Sequence, residues 1–173
     1  MSFRTLVAAA AVALAFTAQA LAHDVTVGTL TLTDLWTRAT PPSAPAGGGF
    51  LTITNNGDEP DRLIAVSAPG VKIGEVHEMA VKDGVMTMRP LENGLEIPAH
   101  GSVTLAPGGF HLMFIGIEKP FVEGEKLPVT LTFANAGSID TFLHIEPIGS
   151  KGPAAGGAHQ MDMQPDMKMD MNQ

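Results

Sequence analysis

From Val25 to about Ile148 the sequence never sustains the 3.6-residue apolar period of a helix; apolar residues come in short runs, each closed by a turn signal. The runs are Val25 to Leu32, Gly49 to Asn55, Ser102 to Leu105, Phe110 to Ile117, Leu127 to Phe133 and Ile139 to Pro147. Turn residues stand among them: Pro41-Pro42 with Pro45, Asn56-Gly57-Asp58, Asp83-Gly84, Asn93-Gly94, Pro107-Gly108-Gly109 and Ala136-Gly137. Short strands at this spacing predict an all-β sandwich or barrel. Its expected core is Leu51, Ile53, Leu63, Ile64, Val103, Leu105, Leu112, Phe114, Leu131, Phe133, Phe142 and Ile145.

Both ends fall outside this pattern. Arg4 precedes an apolar run from Leu6 to Phe16, followed by small residues at Ala18, Ala20 and Ala22, which predicts a secretory signal peptide over 1–22. Cleavage after Ala22 leaves His23 as the new N-terminus; cleavage after Ala20 is the alternative. The remaining chain of about 150 residues suits one domain, expected over 23–148. From 149 to 173 there is no Leu, Ile, Val, Phe or Trp, so this segment cannot bury enough apolar surface to offset the entropy of ordering it. A disordered, flexible tail is expected there.

The formal net charge is −8, and loss of Arg4 with the leader makes it one unit more negative. Nucleic acid is therefore not an expected partner, and an acidic surface is repelled by anionic lipid. No later stretch approaches the roughly 20 apolar residues of a membrane helix, so no membrane insertion is expected. Cysteine is absent. That excludes a blue-copper electron carrier and a dithiol metallochaperone, and leaves any soft-metal site to be built without thiolates. No Ser-His-Asp set, acid-base carboxylate pair or phosphate-cradling loop stands out, so the chain is not read as an enzyme.

The distribution of methionine is the most informative feature. After the initiator, four methionines lie at Met79, Met86, Met88 and Met113, and five at Met161, Met163, Met167, Met169 and Met171. Methionine used as core filler is scattered among strands; these are grouped, and each group includes histidine. Residues 77–90 read as a β-hairpin turning at Asp83-Gly84. A two-residue turn sets Met79 opposite Met88 and Val81 opposite Met86, so His77, Met79, Met86 and Met88 project from one face. In the later segment Phe110, Leu112 and Phe114 anchor a strand in the core, leaving His111 and Met113 together on its other face. One methionine on a strand is ordinarily packing and one histidine ordinarily a hydrogen-bonded side chain. Two His-x-Met pairs with Met86 and Met88, and no other methionine in the domain, favour a metal site instead.

The donors select the metal. Thioether sulfur is soft and neutral and suits Cu(I), while imidazole accepts several ions, so a mixed N₂S₂ set favours Cu(I). Sequestering the ion fully suits transfer rather than catalysis, which needs an open position.

At these residues the sequence resembles the periplasmic copper chaperone family PCu(A)C, whose pattern is a His, ten residues, a Met, a gap near twenty, then His-x-Met. His77, Met88, His111 and Met113 fill it, with ten residues in the first interval and twenty-two in the second, one more than the pattern, an excess that a loop insertion between Leu91 and Gly101 absorbs. Leu35-Trp36-Thr37-Arg38-Ala39-Thr40-Pro41-Pro42, the Asn55 turn, Asp61-Arg62-Leu63, Met88-Arg89-Pro90 and Pro107-Gly108-Gly109 are similar too, so the likeness covers about 29–147. It implies a cupredoxin-like Greek-key fold, Cu(I) held by His77, Met88, His111 and Met113, periplasmic location, and delivery to the binuclear copper centre of cytochrome c oxidase. A copper-accepting oxidase subunit and another copper chaperone are the implied partners. Met79 and Met86 are not principal ligands of the family and are read as supporting or entry-path thioethers.

In the tail, His159, Met161, Met163, Met167, Met169 and Met171 form a second candidate set, an arm that captures copper near the main site. His159 with Asp162 or Asp166 offers N and O donors that would take Cu(II). His100, in a turn, and His144, in the last strand, are read as structural. The alternative to a chaperone is a copper storage or resistance protein whose tail is the main sink.

Overall fold

The computed structural model describes residues 24–82 and 84–153. The leader, His23, Asp83 and the tail candidates His159, Met161, Met163, Met167, Met169 and Met171 lie outside the described residues.

The described residues form strands without any helix. They are β1 (Val25–Val27), β2 (Leu30–Arg38), β3 (Ala46–Asn55), β4 (Asp61–Ser67), β5 (Val71–Lys82), β6 (Val85–Pro90), β7 (Leu95–Ile97), β8 (Ser102–Leu105), β9 (Phe110–Ile117), β10 (Lys126–Phe133) and β11 (Gly137–Glu146). Their order in the sheet is β6-β5-β9-β3-β2-β11-β10-β4-β7, with β1 added to β2 and β8 to β3. All pairings are antiparallel except β11 with β2. The all-β Greek-key class expected from the sequence holds.

One core fills the inside of this folded sheet. Leu127, Val129, Leu131 and Phe133 of β10 alternate inward, facing Leu32, Ile53, Leu63, Leu112, Phe114 and Leu143 from five other strands. Each such side chain contributes about 1.5–3 kcal/mol on burial. Among the turns, Pro107-Gly108-Gly109 sets the entry to β9: Gly108 has φ of 90°, and the Gly109 N–H donates to the Ala106 carbonyl at 3.0 Å.

Three expectations are corrected. Val25 to Leu32 is a hairpin rather than one strand, because Gly28 takes φ of 57° and Val27 pairs back onto Leu30. Ile64 is outside the core at 49% exposure: in the ladder with β10, Phe133 pairs with Leu63 and Thr132 with Ala65, so Ile64 is the extra residue of a bulge. Leu63 and Val66 both stay inside as a result. Phe142 lies on the opposite face from buried Leu143, edge-on to His144, with the Lys126 ammonium 4.0 Å from its ring centre.

A second bulge matters more for function. Leu30 and Leu32 of β2 point inward, but the register slips between Thr33 and Trp36, where Asp34 has φ of 52°. From there Leu35 and Thr37 face the core, and Trp36 and Arg38 are directed to the outer face. Trp36 meets Phe50 of β3 there, ring centroids 4.6 Å apart, and the Arg38 guanidinium covers both rings at 5.8 and 5.6 Å. An apolar layer thus lies outside the sheet beside β9.

Candidate metal centre

The hairpin of β5 and β6 has the register expected from sequence: Met79 opposite Met88, Val81 opposite Met86, and Lys82 opposite Val85 across a two-residue connection. On its other edge β5 pairs with β9, which sets His77 opposite His111 and Glu75 opposite Met113. Directly opposed residues share a face, so three strands direct His77, Met79, Met86, Met88, His111 and Met113 to the same outer side of the sheet. β3 completes the surface with Gly48 opposite Met113.

Four of these side chains, Met79, Met88, His111 and Met113, line a cavity of about 260 Å³ together with Arg38 and Phe50. Glycine at position 48 helps keep it open, since a Cβ there would stand 3.3 Å from the Phe50 ring. His77 is not part of the wall; it adjoins the cavity through His111, with ring centroids 5.7 Å apart. Met86 stands apart from the wall and is 65% exposed, whereas Met88 is 48% exposed at the rim.

The two imidazoles are buried, at 8% exposure for His77 and 5% for His111. His77 Nε2 lies 2.7 Å from Glu75 Oε2, and because a carboxylate only accepts, Nε2 carries the proton. Its Nδ1 is buried without a hydrogen-bond partner. His111 Nδ1 donates to the Gly109 carbonyl at 3.1 Å, leaving Nε2 with the lone pair. That carbonyl also accepts from the Met79 N–H, so one turn residue ties both strands. Burial pushes the His111 pKa below 6.5, opposed by the Gly109 hydrogen bond and assisted by the proximity of His77, so its neutral, ligating form is favoured at neutral pH.

An imidazole nitrogen bonds a first-row metal at about 2 Å. Rings 5.7 Å apart can therefore each turn one nitrogen to a shared ion with little movement. Neutral nitrogen and thioether donors with one orphaned nitrogen form a set that fits a soft ion of low charge. Among the described residues no group of three or more His, Cys, Asp or Glu is placed to hold a metal ion. The other two histidines among the described residues belong elsewhere: His100 meets Asp58 at 2.9 Å in a turn, and His144 contacts Phe142 on β11. Glu75, the Gly109 carbonyl and the Trp36-Phe50-Arg38 layer escaped the sequence reading. The one available signal was Glu75 standing two residues before His77, hence on the same strand face.

Fold and site define a small all-β domain that presents paired imidazoles and thioethers on one sheet face. The chain belongs to the LpqE-like family, described as "Putative lipoprotein LpqE-like", which matches residues 30–145, and it is of the PCuAC type. A curated relative, "Putative lipoprotein Lxx21020" of Leifsonia xyli subsp. xyli (strain CTCB07), is 32% identical over 97 residues, 54% of this chain; the match spans just over half of that protein, 58%. Among solved structures, the copper-bound PCuAC domain from PmoF2 superposes with a TM-score of 0.62 at 26% identity, covering 72% of this chain and 98% of that domain. The apo PCuAC domain from PmoF1 gives 0.62 at 28% identity, covering 72% and 99%.

Proposed function

We propose that this chain is an exported copper chaperone that holds Cu(I) between His77, His111, Met88 and Met113 and releases it to a copper enzyme. The single observation that carries this reading is the convergence of two buried imidazoles, one with an unpartnered nitrogen, on a face lined with thioethers. Its likeness to a domain described as copper-bound supports it.

The geometry suits transfer. The imidazoles are buried and held from behind, while the Met88 thioether stands half exposed at the rim. An incoming donor from a partner can displace Met88 first and share the ion before the histidines let go. Met79, in the wall, and Met86, outside it, supply further sulfur along that route. On this reading the protein is a carrier that transforms no substrate, not an enzyme. The acceptor we assign is the binuclear copper centre of cytochrome c oxidase, in the periplasm, with another copper chaperone as a further partner.

The segment that follows the domain is assigned a supporting role. The Arg38 Nε donates to the Ser150 carbonyl at 2.6 Å, and Arg38 also lines the cavity, so the described chain at Ser150 lies close to the proposed copper face. His159 and the tail methionines then act at high effective concentration there; Cu(II) at His159 is the alternative loading. A storage protein with the tail as main sink is the second reading. Anaerobic Cu(I) competition on the full mature chain and on one lacking residues 154–173 separates them. A chaperone keeps one tight Cu(I) without the tail; a sink loses most of its capacity; absence of binding in both proteins ends both readings.

A further inference from the structure

A buried imidazole has two nitrogens and, when neutral, one proton, so the partner of one nitrogen decides which lone pair faces a metal. Across the β5/β9 ladder this choice is made in two ways. His111 is held by main chain, through Gly109, and presents Nε2. His77 is held by a side chain, through Glu75, and presents Nδ1. A buried acceptor left unused is unfavourable, because it gives up its hydrogen bond to water without replacing it. His77 Nδ1 is such an atom, and the tautomer that creates it is the one the Glu75 carboxylate enforces.

We infer that Glu75 is a positioning residue of the metal site, whose carboxylate fixes the Nε2–H form of His77 and aims the Nδ1 lone pair at the ion. This rests on the copper reading above. Glu75 lies directly opposite Met113 on the ladder, so it shares the donor face; its side chain is 39% exposed and its Oε2 is engaged with His77. It is therefore not counted among the donors. Its negative charge beside the site also offsets the single positive charge that four neutral ligands leave on Cu(I).

The test compares the full mature wild type with Glu75→Ala and Glu75→Gln. Long-range ¹H–¹⁵N NMR on the metal-free proteins reads the His77 tautomer, and anaerobic chelator competition reads Cu(I) affinity. The wild type should show protonated Nε2. Glu75→Ala should lose that preference and weaken Cu(I) binding by roughly 10–100-fold, the usual effect of removing a group that orients a ligand. Glu75→Gln, which keeps an acceptor oxygen, should lose less, and amide dispersion should stay native in both. A wild-type His77 protonated at Nδ1, or a Glu75→Ala protein with unchanged tautomer and affinity, overturns the inference. So does an oxygen neighbour of copper that vanishes with Glu75, since Glu75 would then be a ligand. If the wild type binds no Cu(I), the proposed function fails, while the metal-free tautomer comparison still decides the role of Glu75.

Discussion

His77 and His111 stand directly opposite each other on neighbouring strands, ring centroids 5.7 Å apart, although thirty-three residues separate them in the chain. Long-range pairing of β5 with β9 creates the candidate centre; neither His-x-Met segment alone brings two imidazoles together. Replacing His111 with Ala should therefore weaken Cu(I) binding by about 100-fold, equivalent to nearly 3 kcal/mol, in chelator competition. Met88→Leu should weaken it less, because Met79 lines the same cavity and offers a substitute sulfur. Met88 is half exposed, so that variant should melt within a few degrees of wild type.

The face expected from sequence was readable because of one turn. Asp83-Gly84 predicts a two-residue connection, and the observed closure of Lys82 on Val85 preserves the parity that aligns Met79, Met86 and Met88. What local pattern could not supply is the strand beside that hairpin: the donors of the two segments pointed to one N₂S₂ set, but the direct pairing of β5 with β9 is seen only in the fold. Bulges were equally silent. Ile64 looks like core by composition and is expelled by a register slip, and Trp36 reaches the outer face only because Asp34 breaks the alternation of β2. Hydrophobic periodicity reports a face only while the register is regular.

The triple-glycine stretch of β3 should be intolerant of side chains. A Cβ on Gly49 would lie 2.8 Å from Leu143 Cδ1 and 2.9 Å from Phe114 Cε2, both in the core. Overpacking of this kind costs about 1–3 kcal/mol. Gly49→Ala should lower the urea midpoint accordingly at unchanged m-value.

Asp61 joins the start of β4 to the turn between β10 and β11. Its carboxylate is buried and accepts from the backbone N–H groups of Arg62 at 2.7 Å and of Asn135 and Ala136 at 2.9 Å each. Asp61→Ala strands those donors and should cost about 2–4 kcal/mol, since each unmet buried group costs about 1–3. Thermal unfolding of the metal-free domain measures it.

The depressed pKa of His111 has a consequence for stability. Below pH 6.5 the unfolded chain holds a proton there that the folded state resists, so unfolding takes up protons and stability falls as pH drops through that value. The metal-free domain should lose stability between about pH 7.5 and pH 5.5, and His111→Asn should flatten that part of the profile. An unchanged slope in the variant would assign the effect to other groups.

X-ray absorption of the anaerobically loaded chain, with residues 154–173 removed, tests the N₂S₂ centre most directly. Two imidazole nitrogens and two thioether sulfurs around Cu(I) are expected, with one sulfur lost on Met113→Leu and one imidazole lost on His77→Ala. Copper surrounded by oxygen and nitrogen alone, or a spectrum indifferent to both substitutions, would contradict it.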